Sequence, residues 1–145
     1  MLVHTTEGHL IADILGSERI SAISGPIICD RCKPEMKNLE LKNTAALINN
    51  GVKTSVCTDH PVIPIQYLPA SAIMAVKGGL SRQQALEAIT INAAETAGIS
   101  DITGSITVGK DADIQLYSSD PLELLSEPDM VMINGKIVRG ETDNA

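Results

Sequence analysis

The stretch Val56-Cys57-Thr58-Asp59-His60-Pro61 decides how this chain is read. A run from Val52 to Val56, β-branched and apolar between polar residues, ends in an acid, a histidine and a proline. A strand that ends this way presents a carboxylate at the edge of a sheet. In barrel and open α/β folds the carboxyl-terminal edge is where the chemistry is done. Asp59 is therefore the first catalytic candidate, against the plainer reading of a strand-end aspartate that caps the next turn. His60 follows it directly, and adjacent strand residues point to opposite faces. Pro61 and Pro64 are expected to hold the following loop extended and stiff.

Working back from this strand, Leu2-Val3-His4 reads as the tail of another one. Glu7 to Leu15 has apolar residues at helical spacing (Leu10, Ile11, Ile14, Leu15), and Gly16-Ser17 stops it. Ile20 to Ile28 is a second strand, interrupted by Gly25-Pro26. Asn38 to Asn50 is helical, with Asn49-Asn50-Gly51 as a stop. Strand and helix thus alternate up to the Lys53–Thr58 strand, the pattern of parallel strands joined by crossover helices.

Working forward, a helix is predicted over Gln66–Val76, closed by Gly78-Gly79. Ser81-Arg82-Gln83-Gln84 has the spacing of a capping box. Asn92 and Glu95 repeat that spacing, so two short helices are predicted, Arg82–Thr90 and Ala93–Ala97, the second ended by Gly98. From Gly104 the character changes. Gly104 to Gly109 is strand-like with glycine punctuation. Ala112–Tyr117 is a short strand, and Met130–Ile133 and Lys136–Val138 flank Asn134-Gly135, a strong hairpin signal. Residues 1–100 are read as one α/β body and 101–145 as a β appendage, with Glu141–Ala145 a frayed tail.

Composition narrows the function. The chain has 145 residues, no Phe or Trp and two Tyr, so Ile, Leu, Val, Ala and Met must fill the core and little remains for stacking on bases or sugars. A net charge of −7 repels nucleic acid and anionic membranes, and neither is expected as a partner. No apolar run is long enough to span a bilayer, and the first residues lack the features of a signal peptide. Three cysteines in a chain of this size suit a reducing cytoplasm.

His4 is the second candidate. Two parallel strands that each end in a metal-competent side chain can converge on one ion, although a strand-end histidine also serves as a helix cap or a structural residue. His9 is read as supporting or surface. Cys29-Asp30-Arg31-Cys32 is a C-x-x-C without the second pair that a zinc site needs. Its surroundings read as a polar loop at the same sheet edge, with Arg31 and Lys33 available to an anionic substrate group. The glycines of Gly104-Ser105-Ile106 and Gly109-Lys110-Asp111 lack phosphate-loop spacing and read as turns.

These residues carry a resemblance. Met1 through His9 resembles the sixth strand and following turn of a metal-dependent amidohydrolase barrel, and Thr58-Asp59-His60-Pro61 its eighth strand. Thr90 to Ala94 resembles the post-barrel helix. Gly104-Ser105-Ile106, Gly109 to Ile114 and Ile133 to Val138 resemble strands that return to the family's β-sandwich. The nearest branch is the imidazolonepropionase-like group, which includes prolidase-type peptidases. The resemblance implies a partial TIM barrel, strands six to eight, plus strands of a small sandwich. It also implies hydrolysis of a C–N bond in a cyclic amide or dipeptide-like substrate, by a water activated on zinc or, in some branches, iron. In that scheme Asp59 is the acid–base and a metal ligand, His4 a metal ligand, and His60, Arg31 and Lys33 lie toward substrate. The family's first-strand His-x-His and its strand-four and strand-five ligands have no counterpart here, and a full barrel takes about 250 residues. The expectation is a C-terminal segment, inactive alone, that self-associates or joins the missing N-terminal part of the barrel. Two rival readings are a non-enzymatic α/β module for ligand binding or oligomerisation, and a C-x-x-C oxidoreductase.

Overall fold

A computed structural model describes residues 1–31 and 33–140. Two β-strands, β1 (Ala22–Ser24) and β2 (Thr54–Val56), pair in parallel with Ala22 opposite Thr54 and Ser24 opposite Val56. Leu2 forms a parallel bridge to Ala22 on the other side of β1. The expected strand–helix–strand–helix–strand order is therefore present, with its first strand reduced to one bridge. A 3-10 turn (Gly8–Ile11) and α1 (Ala12–Ser17) link Leu2 to β1, and α2 (Asn43–Asn49) links β1 to β2.

The helix predicted from Asn38 starts only at Asn43. Pro34 opens a 3-10 turn over Pro34–Met36 instead, and the Asn38 N–H donates to Glu7 Oε1 at 2.6 Å, a bond made 31 residues away in the chain rather than within a helix. The Asn49-Asn50-Gly51 stop holds, with Gly51 at φ +78°.

After β2, α3 (Leu68–Lys77), α4 (Arg82–Ile89) and α5 (Ile91–Ala97) follow in close succession. The Ser81 hydroxyl accepts from the Gln84 N–H and the Gln84 side chain accepts from the Ser81 N–H, so the capping box is formed. Gly98 ends α5 in the left-handed conformation. The division into two helices is real, but Asn92 and Glu95 do not cap the second. The break falls at Thr90, and α5 begins before Asn92. Tertiary partners take both side chains: Asn92 Nδ2 donates to the Thr54 carbonyl at 3.1 Å, and Glu95 pairs with Lys53 at 2.7 Å.

The core is built from small residues, as a chain without Phe or Trp requires. Ala45, Ala72, Ala75, Ala85 and Ala88 are buried with Ile27, Val56, Leu80 and Leu122, and Leu41, Ile73 and Leu86 pack around them. A second cluster joins Ala12, Leu15, Ala22, Leu47 and Val52. Alanines at helix contacts let the backbones approach closely and leave the specificity of packing to the few larger side chains.

The last part forms an antiparallel sheet ordered β3 (Ile114–Leu116), β4 (Met130–Ile133), β5 (Lys136–Arg139), with Asn134-Gly135 at the hairpin turn, both at positive φ. The strand-like Gly104–Gly109 stretch makes no strand. Gly104 and Gly109 sit at φ +90° and +96°, and the Lys110 N–H turns back to the Thr107 carbonyl. A connection between β3 and β4 returns to the helices: Leu122 is 3 % exposed in the α3–α4 core, and Arg82 on α4 holds Asp120 at 2.5 Å and Glu123 at 3.2 Å. No helix among the described residues is long and apolar enough to cross a membrane. The tail Glu141–Ala145 lies outside the described residues.

Candidate active site

The two strand-end candidates meet. His4 Nε2 lies 2.9 Å from Asp59 Oδ1, although 55 positions separate them in the sequence. Parallel pairing brings the ends of successive strands to one edge of the sheet, and each chain then turns sharply. His4 and Asp59 both adopt the left-handed backbone, at φ +55° and +54°. That conformation costs a non-glycine residue about 1–3 kcal/mol and is concentrated at functional sites.

At His4 the turn interrupts the ladder. The Leu2 N–H donates to Ser21 O and the Ile23 N–H to Leu2 O, as in a regular parallel pair. Regular pairing would next bring the His4 N–H to the Ile23 carbonyl. The Thr5 N–H occupies that acceptor instead, at 2.9 Å. One extra residue is accommodated, a bulge of the kind that redirects a side chain. At Asp59 the chain turns at once: the Val62 N–H donates to the Asp59 carbonyl at 2.8 Å. The expected extended loop is thus a tight turn, and its His60–Pro61 peptide is cis.

Below the pair the β1 and β2 ends press together. The Cys57 N–H donates to the Ser24 carbonyl, and a Cβ on Gly25 would lie 2.3 Å from the Cys57 carbonyl oxygen. Burial pushes the Cys57 thiol above its usual range; a hydrogen bond from the Asp59 backbone opposes this and the Asp59 charge adds to it. Burial thus favours the neutral thiol at Cys57, the weaker nucleophile.

The remaining candidates make other contacts or lie exposed. His60 is exposed beside Asp59. Arg31 directs Nε and Nη2 to the Leu39 carbonyl at 3.3 and 2.9 Å and so bridges its own loop. Lys33 is exposed just before the 3-10 turn. Cys29 Sγ donates to the Pro26 carbonyl at 3.3 Å, and Cys32 lies outside the described residues, as does any pairing within the C-x-x-C. His9 is half-buried, with its N–H on Asn43 Oδ1 at 2.9 Å and its ring Nδ1 3.3 Å from the same oxygen.

The donor chemistry of the pair fits a zinc-class ion, an imidazole nitrogen beside a carboxylate oxygen. The number of donors does not suffice: among the described residues no group of three or more His, Cys, Asp or Glu could hold an ion, and a catalytic zinc takes three protein ligands.

The amidohydrolase family model matches residues 4–138, from this histidine into the last strand. The chain belongs to the amidohydrolase family. Within it, the chain is 30 % identical over 106 residues to an imidazolonepropionase of Geobacillus thermodenitrificans. An amidohydrolase structure from Thermotoga maritima superposes on 97 % of the chain with a TM-score of 0.90 and 33 % identity. A prolidase complexed with N-methylphosphonate-L-proline shares the fold, with a TM-score of 0.71 at 16 % identity. The chain spans 9–24 % of the length of the curated relatives it matches and 37 % of the Thermotoga chain.

The sequence reading missed the side chain that ties this edge together. Asn43 is 3 % exposed, and its Nδ2 donates to the Thr5 carbonyl at 2.6 Å and to Ser24 Oγ at 3.0 Å. Placing Asn43 inside a longer helix hid the one available signal, an asparagine at a helix start.

Proposed function

We propose that this chain carries part of the active site of a cytosolic metal-dependent amidohydrolase that hydrolyses a C–N bond in a cyclic amide or dipeptide-like substrate. The observation that supports this best is the 2.9 Å contact between His4 and Asp59 at the ends of two parallel strand segments. In this reading residues 1–100 supply strands six to eight of a TIM-type barrel, and residues 101–145 supply strands of a β-sandwich. His4 and Asp59 are two of the ligands to a divalent ion, zinc or alternatively iron. When bound, the ion supplies a water acidic enough to attack near neutral pH.

Asp59 performs the proton transfers. Its carboxylate takes a proton from the attacking water as the water oxygen bonds to the substrate carbonyl carbon. It returns that proton to the departing nitrogen as the C–N bond breaks, so one proton is moved and the carboxylate is regenerated. The left-handed turn at Asp59 places its carboxylate beside His4 at the strand ends. His60, Arg31 and Lys33, on loops of the same edge, are assigned to substrate, with the two cations suited to a carboxylate on it.

In the complete enzyme, Asp59→Ala should lower kcat by at least about 10²–10⁴-fold with an unchanged circular dichroism spectrum. Full retained activity would remove the assigned role. Two donors are one short of a catalytic zinc site, so the 145-residue chain by itself is expected neither to hold metal tightly nor to turn over. A stoichiometric ion found in it by elemental analysis would overturn that expectation.

A further inference from the structure

We propose that Asn43 is a positioning residue for the His4–Asp59 pair, acting through the backbone of Thr5. The inference rests on reading that pair as the core of the active site. The bulge at His4 exists only while Thr5, not His4, occupies the Ile23 carbonyl. On its other side the Thr5 carbonyl is held by Asn43 Nδ2 at 2.6 Å. The Thr5 side chain adds no further hold: its hydroxyl is buried with no hydrogen-bond partner among the described residues.

Asn43 is well placed to act as a clamp. It is the first residue of α2 and is almost fully buried. One amide hydrogen goes to Thr5 O and the other to Ser24 Oγ, while Oδ1 accepts from the His9 N–H. These partners leave one amide orientation, since a flipped amide would set its oxygen against the Thr5 carbonyl. The side chain thus joins the turn after His4, the start of the following 3-10 turn and the end of β1. Ser24 is itself fixed by Thr44 Oγ1 at 2.8 Å.

Removing the clamp leaves the Thr5 carbonyl buried and unpaired, and a regular ladder becomes the better-bonded alternative. In that ladder the His4 N–H takes the Ile23 carbonyl. A shift of one residue turns a strand side chain to the opposite face, and His4 Nε2 leaves Asp59.

The test is NMR on the isotope-labelled 145-residue chain, reading NOEs between the His4 ring and the Asp59 β-protons beside the β1–β2 amide contacts. Asn43→Ala should abolish the His4–Asp59 NOEs and keep the β1–β2 contacts. Thr44→Val, which removes a hydrogen bond of the same buried network without touching Thr5, should keep both. If Asn43→Ala fails to fold, Asn43→Asp keeps the volume and the acceptor for His9 but loses the donor to Thr5, and should give the same loss. The proposal is overturned if the NOEs persist in a folded Asn43 variant, if Thr44→Val loses them equally, or if neither Asn43 variant folds. The readout is independent of hydrolysis: loss of the NOEs together with full activity of Asp59→Ala in the complete enzyme would reject the catalytic reading and leave the positioning role standing.

Discussion

His4 and Asp59 both spend backbone energy to reach one another. A left-handed non-glycine residue costs about 1–3 kcal/mol, whereas glycine adopts that conformation freely but loses about 0.5–1 kcal/mol in chain entropy. His4→Gly is therefore expected to leave the urea unfolding midpoint unchanged or raised, although it deletes the site. A clear drop would show that the imidazole contributes more to stability than its backbone costs. Gly25 poses the opposite case. Its φ of +142° and the 2.3 Å that would separate an added Cβ from the Cys57 carbonyl leave no room for a side chain. Gly25→Ala should destabilise by about 2 kcal/mol or more, seen in the same denaturation measurement, because the β1 and β2 ends would have to part. At this scale the sequence points to His4 and Asp59 as strand-end candidates. It does not show that His4 sits on a bulge, because that depends on which amide reaches Ile23.

Among the elements, those with local determinants were legible and those with distant ones were not. The Ser81–Gln84 capping box, the Gly98 stop and the Asn134-Gly135 hairpin each depend on residues within a few positions, and each forms as read. Ser81→Ala should cost about 1 kcal/mol by thermal or chemical unfolding, the usual loss for a helix N-cap. The start of α2 and the supposed cap at Asn92 were misread because Glu7, Thr54 and Lys53 claim the polar groups involved, from 31 to 42 residues away. The strand-like stretch from Gly104 failed for a local reason given too little weight, two glycines at positive φ that curl the chain back on Lys110.

At the scale of the whole molecule, the antiparallel sheet is tied to the helices through Leu122 and the Arg82–Asp120–Glu123 contacts. Leu122→Ala should destabilise by about 2–5 kcal/mol, the range for a truncated core leucine, read from denaturant unfolding. The Arg82 guanidinium, and then the Leu122 N–H, hold the Asp120 carboxyl below its ordinary value of 3.8. A carboxyl depressed in the folded state stabilises fully above the unfolded value and loses this contribution as pH falls through the folded one. The stability difference between the parent and Asp120→Asn should thus be present at pH 7 and shrink below pH 3.8, measured by unfolding at each pH. The first strand segment leaves Leu2 and Val3 40 % and 53 % exposed beside an open sheet edge. Self-association is the expected outcome, and a strictly monomeric mass by light scattering would count against it. Sequence by itself determined the α/β alternation, the hairpin and the identities of His4 and Asp59, because periodicity, turn chemistry and strand-end residues act over short spans. Only the tertiary structure decided that these two side chains meet, that Thr5 rather than His4 reaches the Ile23 carbonyl, and that Asn43 bonds the turn after His4, because each of these depends on contacts between segments far apart in the chain.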